Sequence, residues 1–388
     1  MNAYLTYTSV VPYFLISVIL LFLVRAYVKN SNFISNELNV YAKTRESLLD
    51  GLRGFLALGV FFTHSVIMYH YYVNGGQWQG PPSLFYGHLG SVAVSLFFMI
   101  TGYLFWKKII ETQKLQWKKF FISRIKRIVP LYGFTVLVVV AIVFIVTGFH
   151  LNVTVPEIVI SVIRWFSFGI LGAPDINALK HTFTIESVYW TLGYEWKFYF
   201  LLPLISLLSH RPKMTVALLL AGCAGLMNIH FLHFVIGIIV ATYIVESRIF
   251  MERMKFLHMA ITVSFIGMLF YLPHEYKLLQ AIISGLFFWS VLLGNNLLGL
   301  LSTTSAKVLG IVSYSIYLNH NIVLFILFSF VDRYVKSIME FSAVEFWELI
   351  LCSGICTVLF SLWTYKYIEH RFYVPSAIRK NKQYGSQI

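Results

Sequence analysis

The sequence predicts an all-α polytopic membrane protein, and three observations carry that prediction. Apolar residues make up 58% of the 388-residue chain and charged residues 12%, with a mean hydropathy of +0.75. A water-soluble domain carries about 25% charge, so this chain has too little polar surface to cover a soluble particle. Second, the apolar residues gather into long runs suited to lipid-spanning helices. Third, the basic residues fall almost entirely on one side of those runs. Disorder, collagen and coiled coil are excluded by the same composition. Three cysteines without a C-x-x-C, two of them (Cys352 and Cys356) inside one apolar run, exclude a disulfide scaffold.

Eleven runs qualify as spans. The first, about 9–28, has no basic residue before it, whereas Arg25 and Lys29 follow it, so it reads as a retained helix and not a cleavable signal. The second, about 55–73, starts just after Arg53 and holds His64; the third, 89–106, stops at Lys107 and Lys108. The fourth, 128–148, follows the basic stretch Lys118–Arg127, and the fifth, 187–208, contains Glu195 and Lys197. Runs at 214–229, 231–246, 257–273 and 278–298 are punctuated by Arg211, Arg248, Lys255 and Lys277. The last two are 306–330, with a polar start, and 346–367. A semi-polar helix at about 157–172 is too mixed to span and is assigned to the interface. Prolines 12, 156, 203 and 273 fall at ends or kink points. Numbering the loops alternately puts 24 basic residues on one side and five on the other, with Lys197 inside a span. The positive-inside rule then places the N-terminus outside and the C-terminus in the cytoplasm. The net charge of +14 is thereby topological; nucleic-acid binding needs a basic face on a soluble module, and no stretch here is long enough to fold as one.

Ionisable groups inside spans are expensive, so each is a functional hypothesis. Arg53 and His64 are eleven residues apart, which on a helix is roughly 16 Å and nearly one face. A neutral imidazole there accepts a proton without lasting charge; the plainer alternative is a buried His bonded to a backbone carbonyl. Arg124 and Arg127 are one helical turn apart and suit a phosphate, or else anchor the chain at lipid headgroups. Glu195 sits among apolar residues with Lys197 on another face, so its partner is tertiary. The stretch Gly310–His320, with Tyr317, Asn319 and His320, is either a substrate-facing polar cluster or glue between helices. His230 and His233 are spaced to share a metal but lack a third ligand nearby, so no metal is expected. No P-loop, G-x-G-x-x-G, G-x-S-x-G, H-E-x-x-H or glycerolipid-type His-to-Asp spacing occurs. Tyr69, Tyr71, Tyr72, Trp78 and Tyr86 suit sugar stacking or an interfacial aromatic belt, and the belt is favoured.

Taken together, these stretches resemble the acyltransferase-3 family of bacterial membrane O-acyltransferases. Arg53 and His64 within L-D-G-L-R-G match its opening pattern. Gly90–Leu104 is similar to its "GVxxFFxxSGYL" helix, with Thr101 in place of Ser. Arg124, Arg127, Pro130, Leu131 and Tyr132 match R-x-x-R and "xxPLY"; Trp190–Tyr199 is similar to "W-S-L-x-x-E-E-x-F-Y". Ser313–His320 resembles "SYSLYLxH", and Ile368–Phe372 resembles "IExPF". Six motifs in order, from about 48 to 373, make the resemblance specific. One departure is Trp196 where the family has a second Glu, which leaves Glu195 alone to carry that motif.

The resemblance implies a bundle of about ten spans plus one extra N-terminal helix. Residues 1–47 would form that helix and a cytoplasmic linker, 48–373 the acyltransferase-3 membrane domain, and 374–388 a cytoplasmic tail, in a stand-alone form without a fused hydrolase-like domain. It implies transfer of an acyl group, usually acetyl from acetyl-CoA, to a hydroxyl of a cell-surface polysaccharide or its lipid-linked precursor. Arg53, Arg124 and Arg127 would hold the CoA phosphates. His64 would act as general base or carry the acyl group itself, with Asp50 and Glu195 orienting or balancing these groups. The partners expected are acyl-CoA, a glycan or lipid-linked glycan and membrane lipid, with no metal. A secondary transporter is the rival reading, and a non-catalytic export scaffold the third; the inverted repeats a transporter predicts are not visible.

Overall fold

The computed structural model describes residues 6–44, 47–112, 115–226, 228–253 and 255–373, and the expected tail at 374–388 lies outside them. Among the described residues every regular element is helical. The chain begins with α1 (Val10–Asn30), α2 (Asn32–Thr44), α3 (Ser47–Val73), α4 (Leu84–Thr112) and α5 (Trp117–Val146). Then come α6 (Val155–Trp165), α7 (Tyr189–Ser206), α8 (Pro212–Leu226), α9 (Ile229–Arg253), α10 (Lys255–Tyr271) and α11 (Lys277–Leu292). The last are α12 (Thr304–Ile311), α13 (Ser313–Tyr334) and α14 (Ala343–Thr364), which continues through a π-helical turn at Tyr365–Glu369.

The protein is an all-α polytopic membrane protein. Seven helices are long and apolar enough to cross a membrane: α1, α3, α4, α5, α9, α13 and α14 with its π turn. They match seven of the eleven expected runs. The other four runs form α7, α8, α10 and α11, of 15 to 18 residues. At about 1.5 Å per residue these reach only about 22–27 Å, short of a 30 Å core.

Four stretches differ from expectation in instructive ways. The linker after the first span contains α2, whose Ile34 and Glu37 are buried. Glu37 accepts hydrogen bonds from Tyr365 (2.8 Å) and His370 (3.1 Å), which docks α2 on the end of α14. The basic stretch before the fourth span is the opening of α5, so Arg124 and Arg127 do stand one turn apart on a helix. The run at 306–330 breaks at Val312 into α12 and α13, where the Ser313 hydroxyl bonds Gly310 O at 2.8 Å. The interfacial helix is shorter than expected: α6 opens with a Thr154–Glu157 capping box, and its chain turns at Gly169, φ +76°. A Cβ on Gly169 would meet the Tyr189 carbonyl.

The hub is α3, 83% buried over its apolar window against 28% for α1, which keeps a lipid-facing side. Its partners are α4, α12, α13 and α14. Small residues set the approach, as expected where lipid provides no hydrophobic drive between helices. Gly51 and Gly54 of α3 lie against the Leu301 and Ala306 carbonyls, and Gly310 of α12 lies against the Asp50 carbonyl. Gly102 of α4 meets the Phe234 backbone of α9, while Gly237 of α9 meets Met99. These contacts bring the His64 helix against the chain that leads into the His320 helix.

Candidate active site

The α3–α13 contact aligns His64 with His320. His64 Nδ1 lies 2.8 Å from His320 Nε2, and His320 Nδ1 lies 3.1 Å from Ile316 O. A carbonyl only accepts, so His320 Nδ1 carries the hydrogen and its Nε2 is an acceptor. His64 Nδ1–H then donates to it, and the lone pair of the neutral His64 is left on Nε2, a tautomer assigned from this hydrogen-bond chain. The Ser187 hydroxyl, 3.3 Å away, donates to that lone pair. The order is hydroxyl, base, orienting group, the arrangement that activates a hydroxyl for attack. His320 is fully buried, and its ring stacks on His64 with centroids 5.0 Å apart.

Two cavities approach this pair from opposite ends of the bundle. The first, of about 270 Å³, is lined by Arg53, Lys108, Arg124, Arg127, Glu195 and Tyr373, among others. It lies where α3, α5 and α13 begin and α4 ends. Arg124 and Arg127 stack on the Tyr373 ring at 5.8 and 5.2 Å. Arg127 lies 3.7 Å from the buried Glu369, which also accepts from Ser315 at 3.1 Å. Arg124 Nε is buried with no hydrogen-bond partner among the described residues. Guanidinium groups gathered in a cleft, one donor unsatisfied, fit a polyphosphate. The second cavity, of about 400 Å³, is lined by His64, Trp190, His230, His233, Lys277 and Gln280, among others. It sits where α3 ends and where α4, α7, α9 and α11 begin. Val94 and Tyr317 belong to the walls of both cavities.

The residues expected at one site divide between these places. Arg53, Arg124, Arg127 and Glu195 come together in the first cavity, and His64 lines the second with His320 bonded to it. Glu195 is not beside His64; its carboxylate accepts from the Tyr199 hydroxyl one turn on. Asp50 is buried at the start of α3, fourteen residues before His64 and so about 21 Å from it along the helix. It lines neither cavity. The cluster at 317–320 splits three ways. Tyr317 donates to Thr191 at 3.0 Å, Asn319 donates to Thr364 at 2.8 Å and so ties α13 to α14, and His320 serves His64.

Sequence reasoning missed Ser187, Glu186, Tyr373 and the second cavity's Lys277 and Gln280. No motif marked them, because each gains its meaning from a neighbour far along the chain. Glu186 is fully buried, its Oε2 accepting from Tyr189 N at 3.1 Å. Burial pushes its carboxyl up to about 8 against two backbone N–H groups that pull it down. Trp78 stacks over His64 at 6.1 Å with Tyr71 and Phe183 against its other edges, an aromatic roof on the pair. Tyr69 and Tyr86 are buried against the start of the chain, Tyr69 stacked on Tyr7 and Tyr86 donating to Ser9 O.

The guanidinium-lined cleft and the buried histidine pair lie in one helical membrane bundle, and its sequence gives the class, a membrane acyltransferase. Residues 47–366 match the acyltransferase-3 family, described as an acyltransferase domain, and the chain belongs to that family. Among curated proteins it is similar to "O-acetyltransferase OatA" of Staphylococcus aureus, in strains NCTC 8325 / PS 47, COL and MRSA252. Identity is 31% over 201 residues, which are 49% of this chain and 30% of each relative. The alignment therefore spans under a third of the length of those relatives. No solved structure matches. Among the described residues no group of three or more His, Cys, Asp or Glu is placed to hold a metal ion.

Proposed function

We propose that this protein moves an acetyl group from acetyl-CoA, bound on the cytoplasmic side, to a hydroxyl of a cell-surface polysaccharide or its lipid-linked precursor. The observation that carries the reading is the pair of cavities from opposite ends of the bundle that share Val94 and Tyr317, one rich in guanidinium, the other holding His64. CoA is a cytoplasmic polyanion, and the guanidinium end coincides with the side to which the positive-inside count assigns the cytoplasm. Arg53, Arg124 and Arg127 bind its phosphates at the mouth. The thiol arm follows the cavity inward from the phosphates, which lays the thioester towards Tyr317.

The acceptor hydroxyl enters through the second cavity and replaces Ser187 as the donor to His64 Nε2. As its oxygen attacks the thioester carbonyl, His64 takes the proton. The C–S bond then breaks, the new C–O ester bond remains, and His64 returns the proton to the departing thiolate, giving free CoA. His320 stabilises the transient imidazolium through its Nε2 lone pair. General-base assistance of this kind contributes about 10²–10⁴-fold.

The test uses inverted membrane vesicles supplied with acetyl-labelled acetyl-CoA and the host's own glycan. Alkali-labile label in the glycan or lipid-linked fraction is expected with wild type, and none with equally well inserted His64→Ala. Full turnover by His64→Ala would end this mechanism. Flux of the glycan across liposomes without thioester cleavage would favour a transporter instead.

A further inference from the structure

We propose that the second cavity selects an acceptor carrying a negative charge, a sugar with a carboxylate or phosphate near its reacting hydroxyl, and that Lys277 reads this charge. The inference rests on the acetyl-transfer reading for the word acceptor, but its physical basis is independent of it.

Helices α7, α9 and α11 all begin at this cavity, and it is lined by residues of their first turns: Trp190, His230 and Lys277. Helix N-termini carry partial positive charge and unsatisfied N–H groups, which favour an anion. At the N-terminus of α11 no side chain caps those groups. Lys277, the first residue of that helix, adds a full charge beside them. No Asp or Glu lines the cavity to neutralise it; its ionisable lining is Lys277, Tyr317 and four histidines.

A second, independent observation points to a bound hydroxylated molecule. His233 is 5% exposed, lines the cavity, and its Nδ1 is buried without a hydrogen-bond partner among the described residues. Leaving such a group unsatisfied costs about 1–3 kcal/mol. A hydroxyl donates and accepts, so it satisfies Nδ1 in either tautomer. Gln280, 7% exposed, donates to Ser91 at 3.1 Å in the same wall. The indole of Trp190, 37% exposed, offers a flat apolar face for a ring. Stacking face, paired hydrogen-bonding groups and a cation at the rim together describe an acidic sugar better than a neutral one or an apolar chain.

The test measures binding first and chemistry second. Purified protein in nanodiscs is titrated with cellotetraose, its uronate counterpart and its 6-phosphate, using wild type, Lys277→Gln, Lys277→Arg and His233→Ala. The charged probes should bind at least 10-fold tighter than the neutral one. Lys277→Gln should bring that ratio near one, Lys277→Arg should keep it, and His233→Ala should weaken all three probes alike. A preference for the uronate or for the phosphate identifies which anion the site is built for. Equal affinity for neutral and charged probes, a ratio unmoved by Lys277→Gln, or no saturable binding at all overturns the proposal. Charge-selective binding without acetylation of any probe would leave this site standing and count against the acetyl-transfer reading alone.

Discussion

His64 is held in one tautomer by one neighbour and covered by another. The His320 ring fixes which nitrogen of His64 bears hydrogen, through a chain that ends on Ile316 O. His320→Ala removes that acceptor and frees the His64 ring. The expected result is a fall in kcat of about 10²-fold with KM for acetyl-CoA little changed, because the donor cleft is elsewhere. His320→Gln, which can still accept from His64 Nδ1–H, should recover part of the loss. Arg124→Ala should do the reverse, raising KM for acetyl-CoA about 10-fold or more with a smaller change in kcat, since a charge-assisted contact contributes about 1.5–3 kcal/mol. Steady-state kinetics in vesicles separates the two outcomes. The sequence predicts that Asp50 and Glu195 orient or balance the arginines and His64; neither touches His64, and Glu195 lines the arginine cavity. The sequence places Asp50 three residues from Arg53, and only the helix shows that this same spacing takes it away from His64.

At the scale of elements, the glycine contacts determine where the site residues meet. A side chain at Gly54 would enter the Ala306 carbonyl and Leu309, and one at Gly102 would enter the Phe234 backbone. Gly54→Val and Gly102→Val are expected to destabilise by about 1–3 kcal/mol through overpacking and to lower the thermal midpoint in detergent. Gly222→Ala, which meets no neighbouring atom, should not lower it, since Ala is the better helix former. The turn into α7 has its own pH response. Glu186 is held well above its ordinary 4.5, at about 8, so between these values the folded state binds the proton that the unfolded state releases. Stability therefore falls as pH rises through that window. Glu186→Gln should flatten the fall, as measured by thermal unfolding from pH 5 to 9, and unchanged pH dependence would show that another group titrates.

For the whole molecule, the two cavities demand opposite exposure. Single cysteines replacing Lys108, at the guanidinium cleft, and Lys277, at the second cavity, should react with a membrane-impermeant maleimide from opposite faces of oriented vesicles. Labelling of both from one face would refute the orientation derived from the basic residues. The separation of charge is too strong to be local: 24 basic residues sit on the side assigned to the cytoplasm, and the three guanidinium groups of the cleft are among them.

Lipid solvation, helical class and the family motifs were all present in the sequence, because composition and spacing are properties of the chain itself. Arg53 with His64 and Arg124 with Arg127 were legible for the same reason, since helical periodicity relates residues a few turns apart without tertiary help. Span number was less legible: α7, α8, α10 and α11 are apolar but short, of 15 to 18 residues. The tertiary structure alone decided that His64 pairs with His320, 256 positions away, and that Glu195 belongs to the guanidinium cleft. It alone brought Lys277 and His233 to the start of α7. Contacts between helices depend on crossing angles and close glycine approaches, and these follow from how whole surfaces fit together, which no local pattern of residues encodes.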